Sequence, residues 1–272
     1  MTQKTKIRAL RAEIWAFYEH SRREFTWRKT TNPYKILVSE VMLQQTQVGR
    51  VAGKYPEFLK AFPTVKTLAE APLARVLAVW QGMGYNRRAL ALHRLAQEVM
   101  AKHRGKIPHA RAELEALPSI GHYTAGAIRA FAFNEPEVFI ETNIRRAFIH
   151  HFFSRRQSVS DKEILPLIEK TLDAKDPRAW YSALMDYGAH LPKIVKNPNK
   201  QSKHYTKQKP FEGSHRQVRG HVLKFLNTKG KCTAVSCARI LEIKPEEVRI
   251  VLDELTREGF IQQHGKNYTI KN

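Results

Sequence analysis

The chain has 272 residues, 42% of them apolar, and a formal net charge of +22 from 47 Lys and Arg against 25 Asp and Glu. At about 100 to 200 residues per domain, that length allows one substantial core and a small second one. The positive surplus exceeds what solubility requires and suits a phosphate backbone, with an anionic membrane surface as the second candidate partner.

The opening MTQKTKIRAL is charged and lacks the apolar centre of a secretory signal, and no stretch reaches the roughly 18 apolar residues of a spanning helix. A soluble intracellular protein with no membrane partner is the expectation. From Lys4 to about His190, apolar residues recur at helical spacing, as in Ile7, Leu10, Ile14 and Phe17, then Ile36, Leu37, Val41 and Val48. Helix punctuation recurs at NPYK around Pro33, at FPT (62–64), APL (71–73), IPHA (107–110) and LPSIG (117–121). Without any sustained two-residue alternation, this pattern predicts an all-α domain of many short helices over residues 1–192.

Four stretches of that domain hold residues suited to chemistry. SEVMLQQTQV (39–48) has a single acid, Glu40, among apolar and amide side chains, where desolvation would raise its pKa as a general acid needs. GMGYNRRA (82–89) sets a glycine-flanked Tyr85 before two arginines, although such a tyrosine also reads as a helix cap. In LPSIGHYTAGAIRAFAF (117–133), Gly121 lets the chain turn closely into a helix beginning near Tyr123, whose free amides can bind a phosphate. An ordinary helix-helix turn carries the same signature. VFIETNIRR (138–146) places Glu141 between an apolar run and two arginines. His150 and His151 lack metal-ligand spacing, and no metal site is expected.

Residues 193–212 read as a lysine-rich linker, with six lysines and no acid between Lys193 and Lys209, forming a loop or a phosphate-facing connection. From 213 to 272 the order is helix (SHRQVRGHVLKFLNTKG), helix (AVSCARIL), helix (PEEVRIVLDELTREG) and a terminal strand pair, as in a winged helix-turn-helix module. Its third helix carries Glu246, Glu247, Asp253, Glu254 and Glu258, which suits a major groove poorly; protein contact or packing stands beside DNA binding. From Glu212 onward there are 11 basic and 7 acidic residues, so most of the surplus charge lies in the first domain. Cys232 and Cys237 are the only cysteines, too few for a disulfide framework or a four-thiolate metal site.

Taken in order, FTWR, NPYKILVSEVMLQQTQV, FPT, WQGMGYNRRALALH, LPSIGHYTAGAI, IETNI and MDYGAH resemble the helix-hairpin-helix (HhH-GPD) DNA glycosylase superfamily, most closely its MutY-type adenine glycosylase branch. The likeness runs from Phe25 to Ala189, about 60% of the chain. It implies a two-lobed helix-hairpin-helix domain in a monomeric base-excision repair enzyme, with mismatched or damaged double-stranded DNA as its partner. The implied activity is hydrolytic removal of adenine mispaired with 8-oxoguanine or guanine.

The resemblance also implies roles. Glu40 matches the catalytic acid and Glu141 the stabiliser of the sugar cation, with Tyr123 and Asn143 positioning the centre. Gln45 and Tyr85 match wedges that hold the duplex open around a flipped nucleotide. Arg28, Arg87, Gly121, His122 and Thr124 match DNA-contacting positions, Trp27 and Asp186 match the base pocket, and Arg145 and Arg146 are read as facing the DNA backbone. Tyr123 stands where lyase members carry a Schiff-base lysine, so base release without strand cleavage is expected.

Three departures accompany the match. Glu141 and Thr142 stand where the branch usually has aspartate and glycine. No cysteine follows MDYGAH, where four commonly bind an iron-sulfur cluster, so a clusterless member without a cofactor is expected. About 60 winged-helix-like residues replace a larger C-terminal α/β module. These departures keep two rivals open: a glycosylase for thymine or uracil opposite guanine, and a non-catalytic DNA-damage-binding protein.

Overall fold

The computed structural model describes residues 2–208 and 210–271; Lys209, inside the expected linker, lies outside the described residues. The helices are α1 (Gln3–Ser21), α2 (Pro33–Leu43), α3 (Val48–Ala61), α4 (Val65–Ala69), α5 (Leu73–Trp80), α6 (Arg87–His103), α7 (Arg111–Glu115) and α8 (His122–Phe133). They continue with α9 (Thr142–Phe152), α10 (Asp161–Thr171), α11 (Pro177–His190), α12 (His215–Lys229), α13 (Ala234–Leu241) and α14 (Pro245–Glu258). Three short strands, β1 (Lys231–Thr233), β2 (Ile261–His264) and β3 (Asn267–Ile270), and three short 3-10 helices, at Thr26–Lys29, Leu191–Lys193 and Pro198–Gln201, complete the described elements. No helix among the described residues is long and apolar enough to cross a membrane.

Contacts divide the chain into two units. The first gathers Met1–Glu40, Pro108–Ala116 and Ile120–Lys207, and the second gathers Val41–Ile107, Leu117–Ser119 and Gln208–Asn272. In the first unit α11 packs on α1 and α9, and α10 packs on α9. Its core includes Leu10, Ile14, Phe139, Phe148, Trp180 and Tyr181, all fully buried. The Phe139 and Tyr181 rings stack with centroids 3.9 Å apart. Helix starts follow local chemistry: Thr2 caps α1 by accepting from the Thr5 amide, and Asp176 caps α11 with Pro177 in its first turn.

In the second unit α6 packs against α4 and α5, with Phe58, Phe62, Trp80, Leu92, Leu95 and Val99 buried. The same unit holds the C-terminal module, α12-β1-α13-α14-β2-β3, which is the winged-helix order. The sheet runs β1-β3-β2, antiparallel throughout. The expected strand pair is thus joined by a third strand; Lys231–Thr233 is too short to show a period-two pattern. Cys232 and Cys237 are free and buried.

Candidate active site

Glu40 lies near the end of α2 and is only 5% exposed. Tyr123, in the first turn of α8, donates its hydroxyl to Glu40 Oε2 at 2.9 Å. Burial pushes the Glu40 carboxyl up to about 7, against the Tyr123 bond and the weaker field of Arg28, while the nearby charge of Glu141 adds to the rise. Glu40 therefore exchanges a proton near neutral pH. Burial, reinforced by the two glutamates, holds the Tyr123 phenol well above its usual range, so it stays protonated and remains a donor.

Glu141 is the N-cap of α9. Its Oε1 accepts from the amides of Asn143 (2.6 Å) and Ile144 (2.7 Å), and its Oε2 accepts from Asn143 Nδ2 (3.1 Å). Burial raises its pKa, opposed by those two amides and then by Arg145 and Arg146. A carboxylate at a helix N-terminus is also favoured by the helix dipole. Glu141 thus has three N–H donors where Glu40 has one hydroxyl donor. The two carboxylates therefore differ in their donors: three N–H groups favour the charged form of Glu141, and a single hydroxyl favours that of Glu40. Gly188 of MDYGAH makes the arrangement possible: a Cβ there would lie 2.0 Å from the Asn143 carbonyl oxygen, so only glycine lets α11 pass the first turn of α9.

The structure revises three expectations drawn from these segments. Asp186 is 2% exposed and offers no free oxygen to a base. It accepts from the Arg23 amide (2.9 Å) and Nε (2.6 Å), and from Arg28 Nη1 (2.8 Å) and Nη2 (2.9 Å). It anchors Arg28, whose guanidinium lies over Phe25 at 5.1 Å, while Phe25 stacks on the buried Trp27 at 4.7 Å. Arg145 and Arg146 do not point freely at solvent either. Arg145 pairs with Asp161 (2.7 Å), and Arg146 donates to Asn143 Oδ1 (2.8 Å) and Asn197 Oδ1 (3.2 Å), so both hold α9 in place.

The third revision concerns the hairpin. Gly121 caps α8 at φ −95°, an ordinary value, and nothing lies within 4 Å of where its Cβ would sit. The left-handed residue of LPSIG is Ser119, at φ 61°. Glycine at 121 is therefore not demanded by the turn. Gly121 supplies no side-chain cap to α8, and a side chain at this position would enter open space. His122 lies on the exposed face, 3.2 Å from Glu115, and Thr124 is buried.

Gln45 and Tyr85 belong to the second unit. Both have left-handed backbones, at φ 53° and 49°, and Tyr85 follows Gly82 and Gly84, which also have positive φ. Non-glycine residues are strained in this region, which is also occupied by Arg104, Asn134 and Glu242 at the ends of helices. The residue that holds them was not singled out in the sequence. Buried Arg88 donates from Nη1 to the carbonyls of Val41 (3.0 Å), Met42 (2.8 Å) and Gln44 (2.5 Å). From Nη2 it reaches Thr46 Oγ1 (2.9 Å) and the carbonyls of Met83 (3.3 Å) and Gly84 (3.2 Å). One guanidinium ties the Gln45 turn to the Tyr85 loop. Arg87, its neighbour, is exposed and bonded to Glu258.

After α11 the chain runs through the segment that would hold an iron-sulfur cluster. Its residues do not fit one, because irons need thiolates and no cysteine lies between residues 190 and 208. Hydrogen bonds fasten it instead. Asn199 Nδ2 donates to the Thr142 carbonyl (3.0 Å), and Gln201 Nε2 donates to the carbonyls of Ser154 (2.9 Å) and Arg156 (2.8 Å). At the end of α9, His151 Nε2 lies 2.8 Å from the Tyr187 hydroxyl. Among the described residues, no group of three or more His, Cys, Asp or Glu could hold a metal ion.

A family model for the HhH-GPD superfamily of base excision DNA repair proteins matches residues 38–172, which span Glu40, the hairpin and Glu141. An adenine DNA glycosylase of Mycolicibacterium smegmatis is 30% identical over 271 residues, covering 92% of this chain and 92% of the relative. The chain belongs to the HhH-GPD superfamily. Its place in the MutY-type branch is supported further by an adenine DNA glycosylase of Buchnera aphidicola, 35% identical over 77% of this chain. The chain spans only 62% of that relative's length. Among solved structures, a thermostable thymine-DNA glycosylase superposes with a TM-score of 0.63 at 25% identity, over 73% of this chain and 93% of that one. A trapped endonuclease III–DNA covalent intermediate gives 0.61 over 78% of this chain and 92% of that one, at 20% identity, which shows the shared fold.

Proposed function

We propose that the protein is a monofunctional, clusterless DNA glycosylase of base-excision repair that removes adenine mispaired with 8-oxoguanine or guanine. The observation that carries this reading is the pair of carboxylates: buried Glu40, with a pKa of about 7 and one hydroxyl donor, and half-buried Glu141, which accepts from three N–H groups. Breaking an N-glycosidic bond needs a proton for the leaving purine and a negative charge beside the sugar cation, which is the division of labour those surroundings support. Relatives named adenine DNA glycosylase support the choice of base.

In this reading the C1′–N bond breaks with its electron pair leaving on the purine, which takes the Glu40 proton. The Glu141 carboxylate stabilises the cationic sugar. Water then adds to C1′ and returns a proton to Glu40, with the Tyr123 hydroxyl holding that carboxyl in place. Tyr123 offers no amine, so no Schiff base forms and the abasic strand stays intact. Gln45 and Tyr85 enter the duplex on their strained turns, and the uncapped start of α8 takes a backbone phosphate. The partner is double-stranded DNA containing a mismatch or lesion, the protein acts as a monomer inside the cell, and no cofactor takes part.

Single-turnover assays on a panel of duplexes, each quenched with and without hot alkali, test the reading. Adenine release opposite 8-oxoguanine, with strand breaks only after alkali, is the expected result. Release of thymine or uracil opposite guanine in its place would support the rival suggested by Glu141 and by the thymine-DNA glycosylase likeness. Folded protein that releases no base would exclude a glycosylase.

A further inference from the structure

Two acids of the helix that suits a DNA groove so poorly, Glu254 and Glu258, find partners inside the second unit. Glu258, the last residue of α14, accepts from Arg87 Nε (2.8 Å) and Nη2 (2.6 Å), and from Arg219 Nη2 (2.8 Å). Arg219 Nη1 also bonds Glu254 (2.6 Å), which His215 approaches at 2.9 Å. The Glu258 carbonyl takes Arg94 Nη2 at 2.8 Å, two turns along α6 from Arg87. A Cβ on Gly259 would lie 2.4 Å from that guanidinium, so the end of α14 sits closely on α6. Just before the module, Gln208 donates its amide to the Tyr85 hydroxyl. The module and its approach therefore reach the glycine loop at two points, the phenol of Tyr85 and the guanidinium of Arg87.

The geometry says what such a contact does. Glu258 occupies the Nε–Nη2 edge of Arg87, leaving Nη1 with no partner among the described residues, and the Arg87 side chain remains 71% exposed. A guanidinium held along one edge keeps its remaining donors in a fixed direction, and Arg–phosphate recognition depends on that planar fork. Glu258 itself is 22% exposed and already neutralised by Arg219. It orients Arg87 without covering it.

We propose that the C-terminal module is a bracket for the wedge loop, with Glu258 a positioning residue that aims Arg87 at a DNA phosphate and Gln208 one that steadies Tyr85. This rests on the DNA-binding reading above. An acidic helix then serves a DNA-binding protein without entering a groove, through the cation it orients.

The test is the affinity of the full chain for a duplex with an unreactive abasic analogue opposite 8-oxoguanine, for Glu258→Gln, Glu254→Gln, Arg87→Ala and the Glu258→Gln/Arg87→Ala double variant. Glu254→Gln perturbs the same helix and Arg219 but touches no residue of the loop. Glu258→Gln should weaken binding about two- to fivefold, the range of an exposed pair, and Glu254→Gln should leave it within twofold. In the Arg87→Ala background, Glu258→Gln should change nothing further, an outcome that a general loss of folding could not produce. Tighter binding by Glu258→Gln would show that the carboxylate competes with phosphate and would overturn the bracket. So would unchanged binding, or an effect that persists without Arg87. The probe requires no base release, so failure to excise adenine would refute the proposed function and leave this test standing.

Discussion

Replacing Glu40 with glutamine should stabilise the protein above neutral pH while abolishing base release. The Glu40 carboxyl titrates near 4.5 in an unfolded chain and at about 7 in the folded protein. Because the folded value is raised, this group's contribution to stability is fully present below pH 4.5 and is lost as pH rises through about 7. A difference of about 2.5 pH units corresponds to roughly 3 kcal/mol. Glutamine is the neutral isostere, accepts the Tyr123 hydroxyl and avoids that loss. Glu40→Gln should therefore exceed the parent by about 3 kcal/mol at pH 8, shrinking to about 1 kcal/mol at pH 5.5. In a chain of this size that is a rise in Tm of roughly 6 °C at pH 8. Urea or thermal unfolding at the two pH values reads it, together with single-turnover base release. Equal stability at pH 8, or a gain that does not shrink on acidification, would refute the claim that burial holds Glu40 as a neutral acid.

Tyr123→Phe removes a bond that lowers the Glu40 pKa. The falling limb of the rate–pH profile should shift upward from about 7, whereas a shift downward would contradict the hydrogen bond as drawn. Glu141→Asp keeps a good helix cap, since aspartate is favoured there, so folding should survive. The carboxylate moves by about one bond length, and the rate of base release should fall about 10- to 100-fold; a gain would show a site not fitted to glutamate. Arg88→Met takes the donor from five carbonyls and should cost about 3 kcal/mol or more in unfolding experiments. Arg88→Lys should recover only part of that, because an ammonium lacks the fork; full recovery would remove the geometric argument.

Glu40 was legible in the sequence because one acid among apolar neighbours on a helix has few interpretations. Glu141 was legible as a special carboxylate, but its capping role was not, since glutamate is not among the usual cap residues and its longer arm folds back to the Asn143 and Ile144 amides. Arg88 could have been found. It shares the buried face of α6 with Leu92, Leu95 and Val99 at helical spacing, whereas Arg87 falls on the exposed face. The Asp186 cluster could not, because its partners Arg23 and Arg28 lie about 160 residues away along the chain. Ser119 was hidden for a different reason: glycine signals a left-handed turn and serine does not, so the sequence points to Gly121 in its place. The third strand and the pairing of Glu254 and Glu258 with arginines depend on contacts made only after folding.

The most direct test of two carboxylates acting at one glycosidic bond is single-turnover release of adenine opposite 8-oxoguanine by the parent protein, with the quenched strand examined before and after hot alkali. Strand breaks appearing only after alkali, and absent for Glu40→Gln, are the predicted result. Release that survives Glu40→Gln, breaks that appear without alkali, or no release from folded parent protein would contradict it.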